Sequence, residues 1–448
     1  MHAVTPMALS SKSYDSLVIG GGPAGATAAL VMARAGLSVL VLEREEFPRF
    51  HIGESLLPGN MPLLRKLGLE AALAKVPRVE KRGAEFILGD GQHRAHFRFD
   101  QGLIPGDTVT WNVERAPFDR MLLDAARAAG AEVVEGRAVR SFAELADGAV
   151  RVVADGGEEI CARWLVDASG QATMAGRHLG TRRVLPHLRK AAWFGHFENV
   201  RRRPGVEGGF PVIVMCEEGW FWLIPIDERR TSVGLVMDAD AARRVGVPPD
   251  RMLAWAISRC PHVRERTENA VFPETTHVAA DFTYRCSPYA GPGYFLAGDA
   301  ATFIDPIFST GVCLGMMSGA QAGEGIAAIL RQGADPARVR RDYIRYVEEG
   351  SAPFFRLVEG YYDHSFRELF LEGQGPFQVH RAVLAVLAGN VFPRPSFALR
   401  WRLRYFHFLV RWHRRFPLTP RKEPFSLLAG PMEAAGLEGE SEPVATPS

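Results

Sequence analysis

The chain reads as a mixed α/β protein, and three features of its 448 residues carry that reading. A strand, a glycine-rich turn, a helix and a second strand ending in an acid follow one another between Ser16 and Glu43. Far downstream lies an apolar strand run, Trp220-Phe221-Trp222-Leu223-Ile224-Pro225. After Gly350 the composition shifts to aromatics at helical spacing. Together they predict a Rossmann-like nucleotide-binding domain, an inserted β-sheet domain and a mostly helical C-terminal cap.

Size allows two or three domains, and 47% hydrophobic with 23% charged residues is ordinary for a globular chain. A formal charge of +2, from 53 basic and 51 acidic side chains, provides no global field for nucleic acid or an anionic membrane. Five cysteines (Cys161, Cys216, Cys260, Cys286, Cys313) form no C-x-x-C pair. Their odd number predicts a reducing, cytoplasmic setting with neither a disulfide framework nor a metal site. Residues 1–13 lack the pattern of a signal peptide and are expected to be a flexible tail. No uncharged apolar run approaches the length of a spanning helix.

In the first unit, Ser16-Leu17-Val18-Ile19 predicts a strand, residues 26–35 a helix and residues 37–42 a second strand. Gly20, Gly22 and Gly25 fit G-x-G-x-x-G: a tight turn, close backbone approach to a pyrophosphate and close packing of helix on strand. The helix start then turns its positive dipole end to the phosphates. Glu43 stands where a carboxylate accepts hydrogen bonds from a ribose. The loop alone leaves FAD and NAD open.

Three further stretches favour FAD. Arg115-Ala116-Pro117-Phe118-Asp119 resembles the R-x-x-F-D segment of single-component flavin monooxygenases, whose arginine reaches the cofactor. Trp164 to Gly170 resembles the strand that closes a glutathione-reductase-type FAD domain, and Tyr294 to Ala301 the late G-D-A motif, whose aspartate, here Asp299, holds the ribityl chain. Only one G-x-G-x-x-G is present, so reduced flavin is expected from a separate NAD(P)H-dependent reductase.

Four motifs narrow the resemblance to flavin-dependent halogenases of the phenol and pyrrole type. They are Trp220-x-Trp222-x-Ile224-Pro225, the K-x-G-A-x-F stretch from Lys81 to Phe86, Gly53-Glu54-Ser55 before Pro58, and Ser309-Thr310-Gly311. The resemblance covers residues 14–330 and implies FAD used as FADH2, with chloride or bromide as a second reactant. It implies FAD contacts at Gly20, Gly22, Pro23, Ala24, Gly25, Glu43, Arg44, Glu54, Ser55, Arg115, Asp299, Pro306, Gly311 and Val312. Halide would sit on Ser309, Thr310 and Gly311. Lys81 would handle hypohalous acid as hydrogen-bond donor or, if burial lowers its pKa, as neutral amine. Trp220, Trp222, Ile224 and Pro225 would wall substrate from flavin. By residue type alone, two tryptophans in a strand equally suit a core. Ser309 suits the N-cap of the small-residue helix that follows it.

One departure matters. Free-tryptophan halogenases carry a glutamate just before S-T-G, and here Phe308 stands there, which disfavours a free indole. A phenol or pyrrole, free or tethered to a carrier protein, fits the resemblance better. The competing readings are a flavin monooxygenase or dehydrogenase on the same scaffold and a non-catalytic flavin-binding partner.

The expected organisation places FAD on residues 14–80, 112–185 and 280–335. The substrate-side sheet falls on 81–111 and 186–279, a helical cap on 336–420 and a disordered tail on 421–448. Residues 397–416 carry Leu399, Leu403, Phe406 and Val410 at helical spacing among six arginines. A helix docked on the body with a solvated basic face, a carrier-protein contact and a membrane surface all accommodate that pattern.

Overall fold

The computed structural model describes residues 12–280 and 283–429, so the expected tails at 1–11 and 430–448 lie outside the described residues. Its first sheet holds five parallel strands in the order Glu132–Val134, Val39–Leu42, Ser13–Ile19, Glu159–Asp167 and Tyr294–Leu296. Helices cover its faces, which is why Leu17, Val18, Leu40, Val41, Leu165 and Val166 form nearly continuous apolar runs. Register sets Ile19 against both Leu42 and Asp167, so the carboxyl ends are level and the glycine turn stands at that edge.

Gly20 (φ +99°) is required there, because a Cβ would lie 2.3 Å from the Ala168 carbonyl oxygen. The Pro23–Arg34 helix begins on proline, whose missing N–H costs nothing in a first turn. Against it packs the Gly311–Gln332 helix, glycine to backbone: a Cβ on Gly319 would lie 2.2 Å from the Ala24 carbonyl oxygen. The small residues of that helix therefore bring two helix starts to one place.

The second sheet has seven strands, ordered His277–Ala280, Lys190–Glu198, Arg230–Asp238, Gly219–Pro225, Val212–Met215, Gly83–Leu88 and Arg94–Arg98. Side chains alternate along Gly219–Pro225. Trp220, Trp222 and Ile224 enter one apolar core with Phe308, Phe354 and Phe370, while Phe221 and Leu223 enter another with Leu253 and Val263. Both faces are covered, so the whole strand is buried. The helices Pro336–Tyr361, His364–Glu372, Val379–Leu387 and Phe397–Arg415 supply the cover on the tryptophan face.

Both ends of the described chain are more ordered than composition predicts. Ser13 opens the first strand, and Lys12 pairs with Glu132 at 3.3 Å. Residues 421–429, expected within a disordered tail, are anchored: Arg421 donates to Glu368 at 2.7 Å, and the Leu427 amide donates to Glu218 at 2.9 Å. Leu427 is fully buried in the second core. A few specific anchors outweigh a polar composition when each satisfies a buried group, as Arg421 and His413 do for Glu368.

Candidate active site

At the glycine turn, Glu43 accepts the Gly21 amide at 2.6 Å and the Glu45 amide at 2.9 Å. A carboxylate has lone pairs to spare for a ribose. Arg44, expected at the cofactor, is exposed and ion-paired with Glu45 at 3.4 Å. Arg49, which no motif singled out, lies beside the turn. Its Nη2 lies 3.5 Å from where a Cβ on Gly22 would stand, with the guanidinium over the Phe47 ring. The only sequence signal was a basic residue shortly before the G-E-S motif.

Arg115 is buried and clamps the loop that precedes it in sequence. It meets Asp119 bidentately, Nε to Oδ1 at 2.8 Å and Nη2 to Oδ2 at 2.9 Å, and its Nη1 donates to the Ile52 carbonyl at 2.6 Å. Most of its donors are thus committed to protein. Asp299 lies at the convergence of the two helix starts, its Oδ1 4.0 Å from a Cβ position on Gly311. Burial pushes its carboxyl up to about 6, against the pull of Arg115. No hydrogen bond from a described residue satisfies that carboxylate, so an acceptor stands ready for a ligand's hydroxyls where an FAD ribityl chain would run. This orphaned acceptor and the glycine turn fit the group the fold implies.

Lys81 is held by a two-strand ribbon. Thr110–Val113 pairs with Arg78–Lys81 on one side, setting Lys81 against Thr110. On the other side it receives the G-E-S loop: the Leu56 amide donates to the Trp111 carbonyl at 3.0 Å and the Val113 amide to the Glu54 carbonyl at 2.8 Å. Nζ of Lys81 donates to the Leu56 carbonyl at 2.9 Å and stands 5.3 Å from the Phe99 ring centre. Only 2% of the residue is exposed, and burial pulls its amine down to about 7, with no carboxylate to offset the cost. Glu54 is also buried; its Oε1 meets His196 Nε2 at 3.0 Å. The hydroxyls of Ser55 and Thr110 are buried without a partner among the described residues.

Trp222 donates its indole N–H to Ser232 at 3.0 Å, and its ring lies so close on the neighbouring strand that a Cβ on Gly234 would be 2.2 Å from it. Trp220 donates to the Tyr362 hydroxyl at 3.2 Å, and that hydroxyl donates to Asp305 at 2.6 Å. The Lys190 ammonium lies 3.9 Å from the Tyr362 ring centre. Among the described residues no hydrogen bond or cation–π contact joins Lys81 to either tryptophan; Phe99, over which its ammonium stands, belongs to the same apolar core as both. Asp305, Lys190 and Tyr362 carry no sequence signal, because the cap brings Tyr362 to the sheet from far along the chain.

Ser309 is not the N-cap. Asp305 caps a short turn at Pro306–Phe308 by accepting the Ile307 amide at 3.1 Å, and that turn takes up the Ser309 amide through the Pro306 carbonyl at 2.8 Å. Ser309 sits left-handed at φ +56°, and Thr310 occupies the cap position. Thr310 and Val312 are buried while Gly311 is exposed, so the first free amides of the helix open outward at Gly311. Phe308 turns into the core against Tyr361 and Phe370, with ring centres 6.0 and 6.2 Å away.

A family model for an FAD binding domain matches residues 13–351. A 1H-pyrrole-2-carbonyl peptidyl-carrier-protein brominase of Pseudoalteromonas luteoviolacea is 34% identical over 321 residues, covering 70% of this chain and 77% of its own. A flavin-dependent halogenase of Armillaria mellea is 34% identical over 389 residues, covering 81% and 76%. A solved flavin-dependent brominase superposes with a TM-score of 0.79 at 29% identity, covering 90% of this chain and all of that one.

Proposed function

This chain belongs to the flavin-dependent halogenases, FADH2- and oxygen-dependent enzymes that place a halogen on an aromatic ring, and on that premise we propose its substrate and the residues that act. The substrate is an electron-rich phenol or pyrrole presented on a carrier protein. The carrier is supported by the brominase relative, named for a carrier-bound pyrrole, and the ring type by Phe308, which cannot stabilise a cationic ring as a carboxylate would.

Lys81 carries the proposal. It is a buried primary amine whose pKa lies within reach of neutrality, facing an apolar core. Bound reduced FAD with oxygen and halide supplies hypohalous acid. Lys81 receives that acid at Nζ while the Leu56 carbonyl fixes the direction of the amine. Trp220 and Trp222, each pinned through its indole N–H, keep bulk water and the aromatic ring off the flavin side. The exposed start of the Gly311–Gln332 helix, with Ser309 and Thr310, holds the halide. Asp299, Glu43 and Arg49 hold the cofactor, and a separate NAD(P)H-dependent reductase supplies it reduced. The setting is cytoplasmic, supported by five free thiols; no helix among the described residues is long and apolar enough to cross a membrane.

Mass spectrometry of reactions with FADH2, oxygen and bromide, over free and carrier-bound phenols and pyrroles, tests this reading. A bromine isotope pattern that appears only with carrier-bound rings and vanishes in Lys81→Ala is the expected outcome. Hydroxylated product without halide dependence would overturn it.

A further inference from the structure

The Phe397–Arg415 helix buries Leu399, Leu403, Phe406 and Val410 against the cap, which accounts for one face. Its opposite face is unusual. Phe397, Trp401, Phe408, Trp412 and Phe416 are exposed by 41 to 75%. With Tyr405 they make one row: ring centres run Trp401 to Tyr405 at 5.6 Å, Tyr405 to Phe408 at 6.0 Å, Phe408 to Trp412 at 6.1 Å and Trp412 to Phe416 at 5.3 Å. Phe377, 61% exposed, extends the row beside Trp401. Single exposed apolar residues are common on proteins, but a contiguous aromatic row along a whole helix marks a surface that meets something.

Charge narrows the partner. At about 100° per residue, Arg400, Arg404, Arg411 and Arg415 fall in a second row beside the rings, and none of them meets a carboxylate among the described residues. No acidic residue stands anywhere between Glu372 and Glu423, in a chain whose net charge is only +2. A second copy of this helix would therefore be repelled. The rings stand exposed on the outward face of the helix, so a protein partner would have to supply a cavity for each, whereas a headgroup layer needs none. Flat aromatic rings bordered by guanidinium groups, along a helix about 28 Å long, match a headgroup layer: rings at the acyl boundary and arginines on phosphate oxygens.

We propose that this helix lies in the plane of an anionic lipid surface and holds the enzyme there peripherally. The proposal rests on the helix surface alone and stands or falls independently of the halogenated substrate.

Full-length protein is sedimented with vesicles of phosphatidylglycerol and phosphatidylcholine, and with vesicles of phosphatidylcholine alone. Binding to the first, weakened by salt, is expected. A triple substitution Trp401→Ser, Phe408→Ser and Trp412→Ser should weaken it by about tenfold or more, since each ring loses most of its transfer into the acyl boundary. Arg400→Glu with Arg404→Glu and Arg411→Glu should abolish the preference for the anionic lipid. Retained FAD content in both variants shows that the fold survives, because none of these side chains enters the core. Equal partition of wild type and both variants would overturn the proposal. So would an absence of vesicle binding together with capture of an acidic carrier protein, or with self-association, that the aromatic substitutions abolish.

Discussion

Tyr362 stands between Trp220 and Asp305, donating its hydroxyl hydrogen to the aspartate at 2.6 Å and accepting the indole N–H at 3.2 Å. One phenol thus ties the cap to the tryptophan strand and to the turn that precedes Ser309. Tyr362→Phe leaves a buried indole N–H without its acceptor and one oxygen of the buried Asp305 carboxylate without its donor, while the other keeps the Ile307 amide. Each such loss costs about 1–3 kcal/mol. A lower denaturant midpoint with unchanged m-value is expected, with halogenated product falling relative to FADH2 consumed. Unchanged coupling would mean that Trp220 needs no fixing.

Burial raises the Asp305 carboxyl to about 6, above its ordinary value of 3.8. A carboxyl whose folded pKa is raised favours the fold while protonated, and that contribution disappears as pH climbs from about 4 through 6. Asp305→Asn should therefore gain stability relative to wild type as pH rises through that window. Parallel denaturation curves at each pH check this, and a constant difference across the window would refute it.

For Lys81 the sign is opposite in form. Its folded pKa, about 7, lies below the ordinary 10.5, so charging the buried amine opposes folding. The penalty is absent above about 10.5 and complete below about 7. Lys81→Met is expected to raise the melting temperature at pH 6 and to change it far less near pH 10. If the neutral amine is the reactive form, wild-type halogenation rises with pH through about 7 at constant FAD occupancy. A rate that falls over that range would assign the ammonium, acting as a hydrogen-bond donor, instead.

Gly234 makes room for the Trp222 indole, so Gly234→Ala must displace the ring or the strand. A cost of about 1–3 kcal/mol in stability is expected from such overpacking. Product should fall while oxidant escaping into solution increases, measured by peroxide assay against product yield. Gly234→Ala with wild-type coupling would show that the indole's position is immaterial.

Arg49→Ala should weaken FAD retention by about tenfold, the scale of one charge-assisted contact to phosphate, and reduce the salt dependence of binding. Equilibrium dialysis at two ionic strengths reads both. Arg44→Ala should change neither, because its side chain is mostly exposed where that of Arg49 is largely buried.

The parts legible in sequence were those whose chemistry is local. The glycine turn, its acid Glu43 and the small-residue helix after Thr310 announce themselves because backbone approach demands glycine at fixed spacing. Lys81 was legible only through its neighbours in a motif, since nothing in a Glu-Lys-Arg cluster says which cation is buried. Ser309 misled for a related reason. A serine before a helix suits an N-cap by residue type, and the preceding turn capped by Asp305 had already claimed its amide.

Sequence by itself determined the nucleotide-binding frame, the alternation that sends Trp220 and Trp222 to the same face, and the family. Each rests on motifs whose own residues stand close together in the chain. Only the tertiary structure decided that Lys81 reaches across a ribbon to the Leu56 carbonyl, that Tyr362 pins Trp220, that Arg49 approaches the glycine turn, and that residues 421–429 are anchored. These are contacts between segments tens to hundreds of residues apart. Their energies come from burial and from satisfying buried polar groups, quantities that exist only once the chain has folded.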